Sequence, residues 1–375
     1  MKSTTRIALV THGFPLGGIT NVNLSIARRI SQVAPEFAFF IFSDSPVSSP
    51  KQYPFPVFYV RNYRKAVKEL EIDILVECSR FERGTRAMRR AGVKVVYADH
   101  GQAFGEQFAI MDRRKGADSV FSIKRLLWNL FLRRRYVGTD RPLRMAICRT
   151  RYAYMNTDAY VCLTSAYKEE IQCKLELPAG NRLHVIHNYQ TPVEHPCLDK
   201  EKRIVYCGRL SRYDKRVDRL LRIWAQVQDQ LPDYCLDIIG DGAHRPVLER
   251  LARELHLQRI SFLGKRFDTD KLLQKASILC LTSQTEGWGL VLTEAQAHGV
   301  IPIAFNCSAG VEEVLADGAG ILVPHADEHR FAQELVRLCQ AEDLLPLRKR
   351  CLEKSRQYPE EANTNAWLAL FRSLK

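Results

Sequence analysis

Short apolar runs alternate along the chain with segments in which apolar residues recur every three or four positions. The runs are rich in β-branched residues, typical of buried parallel strands, and the intervening segments indicate amphipathic helices. This alternation predicts an α/β protein with two Rossmann-like domains in tandem and a ligand site at the carboxyl ends of the strands. Strands are predicted at residues 6–12, 37–42, 57–60, 72–77, 93–98, 159–163 and 183–186, then at 204–207, 235–239, 260–263, 278–282, 301–305 and 320–323. Helices are predicted at 22–30 (capped by Thr20 or Asn21), 63–70, 165–174, 217–228, 245–255, 270–274, 290–298, 328–339 and 363–374.

A break in the pattern separates the two halves. Residues 188–196 carry two prolines and few large apolar side chains, and a charged segment then leads into a new strand at 204. Such a stretch is typical of a linker between domains. The first domain is therefore expected to span residues 1–190, and the second residues 191–355.

Charge is unevenly distributed. The net charge is +14, and the stretch from Arg83 to Arg151 holds 17 Lys and Arg against 5 Asp and Glu, a net of +12. Within this stretch, an insert at about 101–151 contains the segment 122–136, where Leu, Trp and Phe stand between cationic blocks, as in helices that lie on membranes. A solvated helix packed on the domain core is the other reading. No motif that reads RNA or DNA accompanies the charge. We expect an anionic membrane surface or acidic acceptor as partner, and no nucleic acid.

Cysteine spacing and apolar runs exclude some classes of protein. The eleven cysteines stand singly without a CxxC pair, which favours small buried side chains in a reducing compartment over a zinc or disulfide framework. No run approaches the ~20 apolar residues of a membrane helix. The expected location is the cytoplasm, with peripheral contact at the inner face of the cytoplasmic membrane through the basic insert. Asp268-Thr-Asp270 matches a metal-binding D-x-D motif, but we expect Asp268 to cap a helix that starts near Lys271, and we expect no bound metal.

The most informative window is residues 278–305, where a strand leads into a glycine-rich loop, a helix and a second strand. A helix entered through glycines presents unpaired N–H groups and a positive dipole end to an anion. Gly287 and Gly289 allow close backbone approach to a ligand. Glu286 and Glu294 flank this turn, and a carboxylate there can accept two hydrogen bonds from a sugar diol. The window predicts a site for a phosphorylated sugar compound.

The stretch Glu286-Gly-Trp-Gly-Leu-Val-Leu-Thr-Glu294 resembles the E-G-F-G-L-x-x-x-E signature of the retaining glycosyltransferases of family 4. The resemblance covers most of the chain and is strongest over residues 203–325. It implies the GT-B fold, two Rossmann-like domains that face each other across a cleft. It further implies that Glu286 is a catalytic residue beside the transferred sugar, and that Glu294 holds the donor ribose. Gly287, Gly289 and Leu290 would bind the donor.

A second matching segment lies at residues 204–221 and resembles the family's G-R-L-x(4–5)-K-G-x-D-x-L-L element. Arg209 leaves the end of a buried strand and Lys215 precedes a helix. Two cations at the carboxyl end of a strand suit a diphosphate and the charge that develops on it as the glycosidic bond breaks. Arg216 stands where relatives have glycine, a departure that bears on the backbone of this loop.

Weaker matches complete the predicted site. Lys265 and Arg266 follow a strand that resembles the segment pairing with the donor base. Gly17 and Gly18 correspond to a glycine loop that would cover the diphosphate from the first domain. His100, before Gly101, resembles an active-site histidine near the donor sugar, and a simple polar cap at a strand end is the alternative.

The resemblance implies a metal-independent hexosyltransferase that moves a sugar from a UDP- or GDP-sugar, without a cofactor, to a glycan or lipid-linked acceptor. Bacterial cell-surface polysaccharide or lipopolysaccharide biosynthesis is the expected setting. It also implies that residues 356–375 form a helix returning to the first domain. The alternatives are a GT-B sugar-nucleotide epimerase or phosphorylase, and a non-catalytic nucleotide-sugar-binding protein that docks on membranes.

Overall fold

The computed structural model describes residues 4–11, 18–46, 53–78, 85–105 and 139–375. The chain divides into two compact units: Met1–Asn188 with Glu360–Lys375, and Tyr189–Pro359. The chain therefore passes from one unit to the other between residues 188 and 189 and again between residues 359 and 360. The predicted boundaries lie at 190/191 and 355/356. The basic helix predicted at residues 122–136 and the predicted donor-binding Gly17 lie outside the described residues.

The first unit is built on a seven-stranded, all-parallel sheet of order β3-β2-β1-β4-β5-β6-β7. Central strands are buried on both faces, which explains their continuous apolar sequences. Each of the seven predicted strands is present, with ends shifted by at most two residues. The strands are β1 Thr5–Thr11, β2 Phe37–Ser43, β3 Val57–Tyr59, β4 Ile74–Cys78, β5 Lys94–Ala98, β6 Ala159–Cys162 and β7 Leu183–Val185.

Six described helices belong to this unit: α1 Gly18–Val33, α2 Tyr63–Glu69, α3 Thr85–Arg90, α4 Arg141–Met155, α5 Ser165–Leu175 and the C-terminal α13 Glu360–Ser373. Helix α13 packs on α1 and β2. Asn363 Oδ1 accepts from Arg29 Nη2 at 2.8 Å, Asn363 Nδ2 donates to His187 O at 2.6 Å, and the rings of Phe37 and Phe371 lie 6.0 Å apart. The last segment is thus part of the first unit's core.

The second unit holds a six-stranded parallel sheet of order β10-β9-β8-β11-β12-β13. Its core includes fully buried Trp224, Tyr206, Phe305 and Phe331. The strands are β8 Arg203–Cys207, β9 Cys235–Ile239, β10 Ile260–Gly264, β11 Ile278–Leu281, β12 Ile301–Phe305 and β13 Ile321–Val323. The helices are α6 Val217–Val227, α7 Arg245–Glu254, α8 Thr269–Lys275, α9 Leu290–Ala297, α10 Ala309–Leu315, α11 Glu328–Cys339 and α12 Leu345–Ser355.

Several details of the predicted elements are wrong. Helix α1 begins at Gly18, so Thr20 and Asn21 lie inside it rather than at its cap, and Thr20 is buried against the core. Residues 309–315, for which no helix is predicted, form α10, which Ser308 caps by accepting from Val311 N at 3.3 Å. Four of its seven residues are buried, whereas Glu312 is exposed, and seven residues are too few to establish a helical period in the sequence.

Two further expectations concern membranes and cysteines. No helix among the described residues combines the length and apolarity needed to cross a bilayer. The eleven cysteines are all free thiols, but Cys148, Cys173 and Cys197 are exposed rather than buried. These three occupy helix surfaces or the segment before β8, where no apolar run surrounds them.

Candidate functional site

The loops that follow β8, β9 and β10 are joined backbone to backbone at the carboxyl edge of the second sheet. Gly208 N donates to Ile239 O at 2.9 Å, and Gly240 N donates to Gly264 O at 2.8 Å. Gly240 has φ +136°, and a Cβ there would lie 1.9 Å from Gly208 O. Only glycine permits this approach. The glycines at these strand ends therefore hold together the edge that carries the predicted donor site.

Lys215 and Glu286 form an ion pair at this edge. Lys215 Nζ lies 2.5 Å from Glu286 Oε1, and their side chains are 23% and 9% exposed. Ser283 Oγ donates to the same carboxylate oxygen at 2.6 Å. Because the pair is shielded from water, its attraction is stronger than that of a surface pair. Glu286 is thus held from two directions.

Backbone contacts between two loops bring this pair together. Gln284 N, after β11, donates to Asp214 O at 2.7 Å, and Thr282 Oγ1 donates to Arg216 O at 3.2 Å. Strands β8 and β11 are adjacent in the sheet, so their loops leave the same edge side by side.

Arg209, the other predicted diphosphate cation, is paired with Asp214. Arg209 Nη2 lies 2.6 Å from Asp214 Oδ2, and Ser211 Oγ donates to the same carboxylate. Although burial opposes the change, the hydrogen bond from Ser211 and the charge of Arg209 lower the pKa of Asp214 below its usual value. No role is predicted for Asp214 from the sequence. Its position three residues after Ser211 was the available signal.

Arg216 adopts a left-handed conformation, with φ 48° and ψ 44°, at the N-cap of α6. This conformation costs a non-glycine residue about 1–2 kcal/mol, which explains why glycine suits this position in the family motif. The guanidinium makes two hydrogen bonds of 2.9 Å to Asp218. The loop thus keeps the glycine-like backbone despite the arginine.

The glycine-flanked turn leads directly into α9. Gly289 is the N-cap with φ 79°, makes no side-chain cap bond, and is followed by Leu290 as the first helical residue. Leu292 N donates to Gly289 O at 2.8 Å. The first turn carries no acidic residue, so its dipole end is not neutralised locally. Helix α9 therefore begins at the glycine-flanked turn, as predicted, and anion binding at this start stays a prediction.

Glu294 lies one turn into α9 at the same edge of the sheet. Burial, with a smaller contribution from the charge of Asp270, raises the pKa of Glu294 to about 7. Burial raises the pKa of the Cys207 thiol to about 12, an effect that the charge of Glu294 increases and that of Lys215 opposes. Cys207 ends β8, so Glu294 and Lys215 both act on one strand end. Lys215, Glu286 and Glu294 therefore lie together at the carboxyl edge of the second sheet. Arg209 lies on the same loop as Lys215.

Lys265 and Arg266 lie on the exposed loop after β10. Lys265 Nζ sits 4.8 Å from the centre of the Phe267 ring, and Arg266 makes hydrogen bonds of 2.8 and 2.7 Å to Asp268. Among the described residues, neither side chain pairs with Glu286 or Glu294. Asp268 is the N-cap of α8 but makes no side-chain cap bond. Asp268 thus occupies the predicted N-cap position, but Arg266 takes its carboxylate, and α8 begins at Thr269, two residues before Lys271.

In the first unit, His100 follows β5. Burial lowers the pKa of His100 to about 4, so the imidazole is neutral at neutral pH. Its buried Nε2 has no hydrogen-bond partner within the described ranges. The preceding Asp99 accepts from Gly101 N at 3.0 Å and from the Tyr160 hydroxyl at 2.7 Å, which anchors the turn. Tyr160 could not be identified from the sequence, because it lies in β6 and contacts Asp99 after the neighbouring strand β5.

Gly18 is the exposed first residue of α1.

The part of the chain that the structure describes contains no group of three or more His, Cys, Asp or Glu side chains arranged to hold a metal ion. The D-x-D motif therefore forms no such cluster with other described residues. The absence of a metal requirement stays a prediction.

Residues 191–358 match the family model of the glycosyl transferases group 1. This range nearly coincides with the second unit and includes the Lys215–Glu286 pair, the glycine turn and Glu294. The matched segment thus contains every predicted site residue except those of the first unit.

Curated relatives carry glycosyltransferase names. The chain is 33% identical over 198 residues to an uncharacterized glycosyltransferase of Haemophilus influenzae, covering 52% of this chain and 54% of that protein. It is 27% identical over 251 residues to the lipopolysaccharide core biosynthesis glycosyltransferase LpsE of Rhizobium meliloti, covering 64% and 71%. The chain therefore spans about half the length of the first of these relatives.

Solved structures resemble the whole chain. Anabaena HepE in complex with UDP-glucose matches with a TM-score of 0.73 at 18% identity, covering 98% of this chain and 99% of that one. The apo form of the lipopolysaccharide outer core galactosyltransferase WaaB matches with a TM-score of 0.67 at 17% identity and the same coverage. These likenesses confirm the predicted GT-B fold class.

Proposed function

We propose that this chain is a retaining, metal-independent glycosyltransferase of family 4 that moves a hexose from a nucleoside-diphosphate sugar to a glycan or lipid-linked acceptor. The observation that carries the proposal is the Lys215–Glu286 ion pair beside the glycine-flanked start of α9. It lies within the residues that match the glycosyl transferases group 1. The relative named for lipopolysaccharide core biosynthesis supports a cell-surface glycan as the product.

The donor diphosphate binds at the start of α9. The ammonium of Lys215 has three donors, so it can keep its bond to Glu286 and also donate to phosphate oxygens. The Arg209 side chain is 69% exposed and can turn from Asp214 towards the phosphates. Backbone N–H groups at the start of α9 complete the anion site.

The transfer step breaks the bond between the sugar C1 and the β-phosphate oxygen. Lys215, Arg209 and the α9 start stabilise the negative charge that remains on the diphosphate. The acceptor oxygen bonds to C1 from the face that the diphosphate leaves, and the hydroxyl proton passes to the departing phosphate oxygen. Glu286, fixed by Ser283 and Lys215, contacts the transferred sugar. Protein cations neutralise the leaving group, so no metal ion is needed in this scheme.

Other predicted residues act on the remaining parts of the donor. Glu294 accepts hydrogen bonds from the ribose hydroxyls, and Lys265 with Arg266 lies beside the base. His100, neutral because burial lowers its pKa to about 4, hydrogen-bonds a sugar hydroxyl through Nε2.

Thermal-shift measurements with UDP-, GDP- and ADP-sugars, followed by transfer assays with the sugar nucleotide that stabilises the protein, test the proposal. The expected result is acceptor-dependent release of nucleoside diphosphate, with the anomeric configuration of the donor kept in the product by NMR. Isomerisation or phosphorolysis without an acceptor would indicate the epimerase or phosphorylase instead. Donor binding without turnover would indicate a non-catalytic binding protein, and no binding at all would reject the proposal.

We further propose that the basic insert docks on an anionic membrane surface. Helix α4 begins inside this insert and continues past its end to Met155, and it carries four arginines and no acidic residue. Tyr152 and Met155 on the same helix are 45% and 62% exposed. Cationic and apolar side chains on one exposed helix suit the headgroup region of a bilayer.

Sedimentation with phosphatidylglycerol vesicles tests the docking. The expected result is salt-sensitive binding that Arg144→Glu with Arg151→Glu weakens, whereas Arg250→Glu with Arg253→Glu on α7 does not. Equal loss in both double variants would indicate a response to net charge rather than a docking surface. Unchanged vesicle binding, with weakened use of an acidic acceptor, would assign the insert to the acceptor.

A further inference from the structure

The turn between Glu286 and Gly289 contains a buried aromatic residue, Trp288. Its side chain is 2% exposed and packs edge-to-face against Tyr358, with ring centres 4.9 Å apart and planes at 84°. This is the favourable geometry for an aromatic pair. Trp288 thus anchors the middle of the predicted donor-binding turn on a residue 70 positions away in sequence.

Tyr358 is itself fixed on several sides. It is 7% exposed, its hydroxyl donates to Glu313 O in α10 at 3.4 Å, and the Lys354 ammonium lies 5.9 Å from its ring centre. Its carbonyl accepts from Gln190 N at 2.8 Å. Gln190 and Tyr358 stand next to the two points at which the chain changes unit, 188/189 and 359/360. The ring that supports the turn therefore sits on the paired crossover segments.

Helix α10 also contacts the turn directly. A Cβ on Gly310 would lie 2.0 Å from Gly287 O, so the helix backbone and the turn backbone are in direct contact. The carbonyl of Glu313 in the same helix accepts the hydrogen bond from the Tyr358 hydroxyl. The turn, Tyr358 and α10 thus contact one another pairwise and form a closed triangle. Tyr358 makes two of these contacts, one with the turn and one with α10. The third contact, between the turn and α10, requires that Gly310 has no side chain.

We propose that Tyr358 is a positioning residue for the donor-binding turn, acting through Trp288. The inference rests on the proposed function, because it assigns a task to the same turn. An anion site made of backbone N–H groups works only when those groups are held in place before the ligand arrives. Gly287 and Gly289 make the turn intrinsically flexible. The Trp288–Tyr358 contact compensates for that flexibility, and it links the turn to the crossover segments through the bond from Gln190.

Tyr358→Leu tests the proposal, with Tyr234→Leu as the matched control. Tyr234 belongs to the same unit, is 8% exposed, and its hydroxyl also donates to a backbone carbonyl, Cys339 O at 3.2 Å, away from the turn. We expect both variants to lower the melting temperature. Only Tyr358→Leu should raise the donor Kd and KM, by about 2- to 10-fold as for loss of one aromatic pair. Tyr358→Phe, which keeps the ring, should bind donor like the wild type.

Hydrogen exchange gives a readout that does not require activity. Amides of residues 287–291 should exchange faster in Tyr358→Leu than in the wild type, and remain unchanged in Tyr234→Leu. Equal exchange in the two leucine variants, or an unchanged donor Kd in Tyr358→Leu well below its melting temperature, would overturn the positioning role. If the wild-type protein binds no sugar nucleotide, the proposed function fails, and the exchange data still decide whether Tyr358 holds the turn.

Discussion

Lys215 Nζ and Glu286 Oε1 lie 2.5 Å apart, although 71 residues separate them in sequence. Each comes from the loop after a different strand, and the adjacency of β8 and β11 places those loops side by side. The pair keeps a carboxylate and an ammonium group together where little water reaches either. Neither charge is therefore left uncompensated at this poorly solvated edge.

Lys215→Ala is expected to abolish most sugar transfer. Loss of a cation aimed at the leaving group lowers kcat by about 10²–10³ in comparable sites. Steady-state kinetics with the preferred donor measure this effect. Lys202→Ala is the control, because Lys202 forms an exposed ion pair with Asp233 at 2.7 Å in the same unit. Full turnover in Lys215→Ala would remove Lys215 from the mechanism.

Donor affinity is expected to rise with pH between 6 and 8. The pKa of Glu294 is raised to about 7, so the carboxylate that accepts the ribose hydroxyls is mostly protonated at pH 6 and mostly ionised at pH 8. The ionised fraction changes about tenfold over this range, and the donor Kd should fall by up to the same factor. Titration calorimetry measures the Kd. A pH profile that Glu294→Gln leaves unaltered would show that another group is responsible.

The same carboxyl group should make stability depend on pH. Because the folded pKa of about 7 exceeds the ordinary value of 4.5, the contribution of Glu294 to stability is complete below pH 4.5 and lost as pH rises through about 7. The loss amounts to about 3 kcal/mol at ~1.4 kcal/mol per pH unit. The free energy of unfolding of Glu294→Gln minus that of the wild type should therefore be larger at pH 8 than at pH 4.5. Urea unfolding checks this, with exposed Glu342→Gln expected to show no such change.

Gly240→Ala should destabilise the second unit strongly. The new Cβ would lie 1.9 Å from Gly208 O, a contact that only backbone movement can relieve. Gly318→Ala is the matched control, since Gly318 also has positive φ but nothing nearer to its Cβ position than Arg350 Nε at 3.8 Å. We expect about 1–2 kcal/mol for the control, and clearly more for Gly240→Ala, in the free energy of unfolding. Equal losses would mean that the loops of β8 and β9 separate at little cost.

Tyr160→Phe should disturb the turn that carries His100. The substitution removes the 2.7 Å hydrogen bond from the Tyr160 hydroxyl to Asp99. The Asp99 carboxylate then faces a buried phenylalanine ring that cannot donate to it. A loss of about 1–3 kcal/mol in unfolding free energy is expected, together with a reduced kcat. Tyr154→Phe, at a 9% exposed tyrosine of the same unit, serves for comparison. If kcat is the same in the two variants, the anchoring of Asp99 has no bearing on the reaction.

Local pattern was sufficient for most of the elements. Each predicted strand and most predicted helices are present, because apolar periodicity reflects which side of an element faces the core. Elements without a period were missed or misread. Helix α10 has only seven residues, too few to show a helical period, and α1 extends back to Gly18 through residues that resemble a capping sequence.

The sequence by itself determined that two glycine-rich strand ends, each with a cation or a carboxylate, belong to one α/β domain, since the succession of strands and loops along the chain follows from local spacing. It also indicated that Gly289 starts an uncapped helix. Only the tertiary structure decided which side chains meet: Glu286 with Lys215, Asp214 with Arg209, Tyr160 with Asp99 and Trp288 with Tyr358. Apart from Asp214 with Arg209, which lie five residues apart on one loop, these contacts join segments that are distant in sequence. Their distances depend on packing that no local pattern encodes.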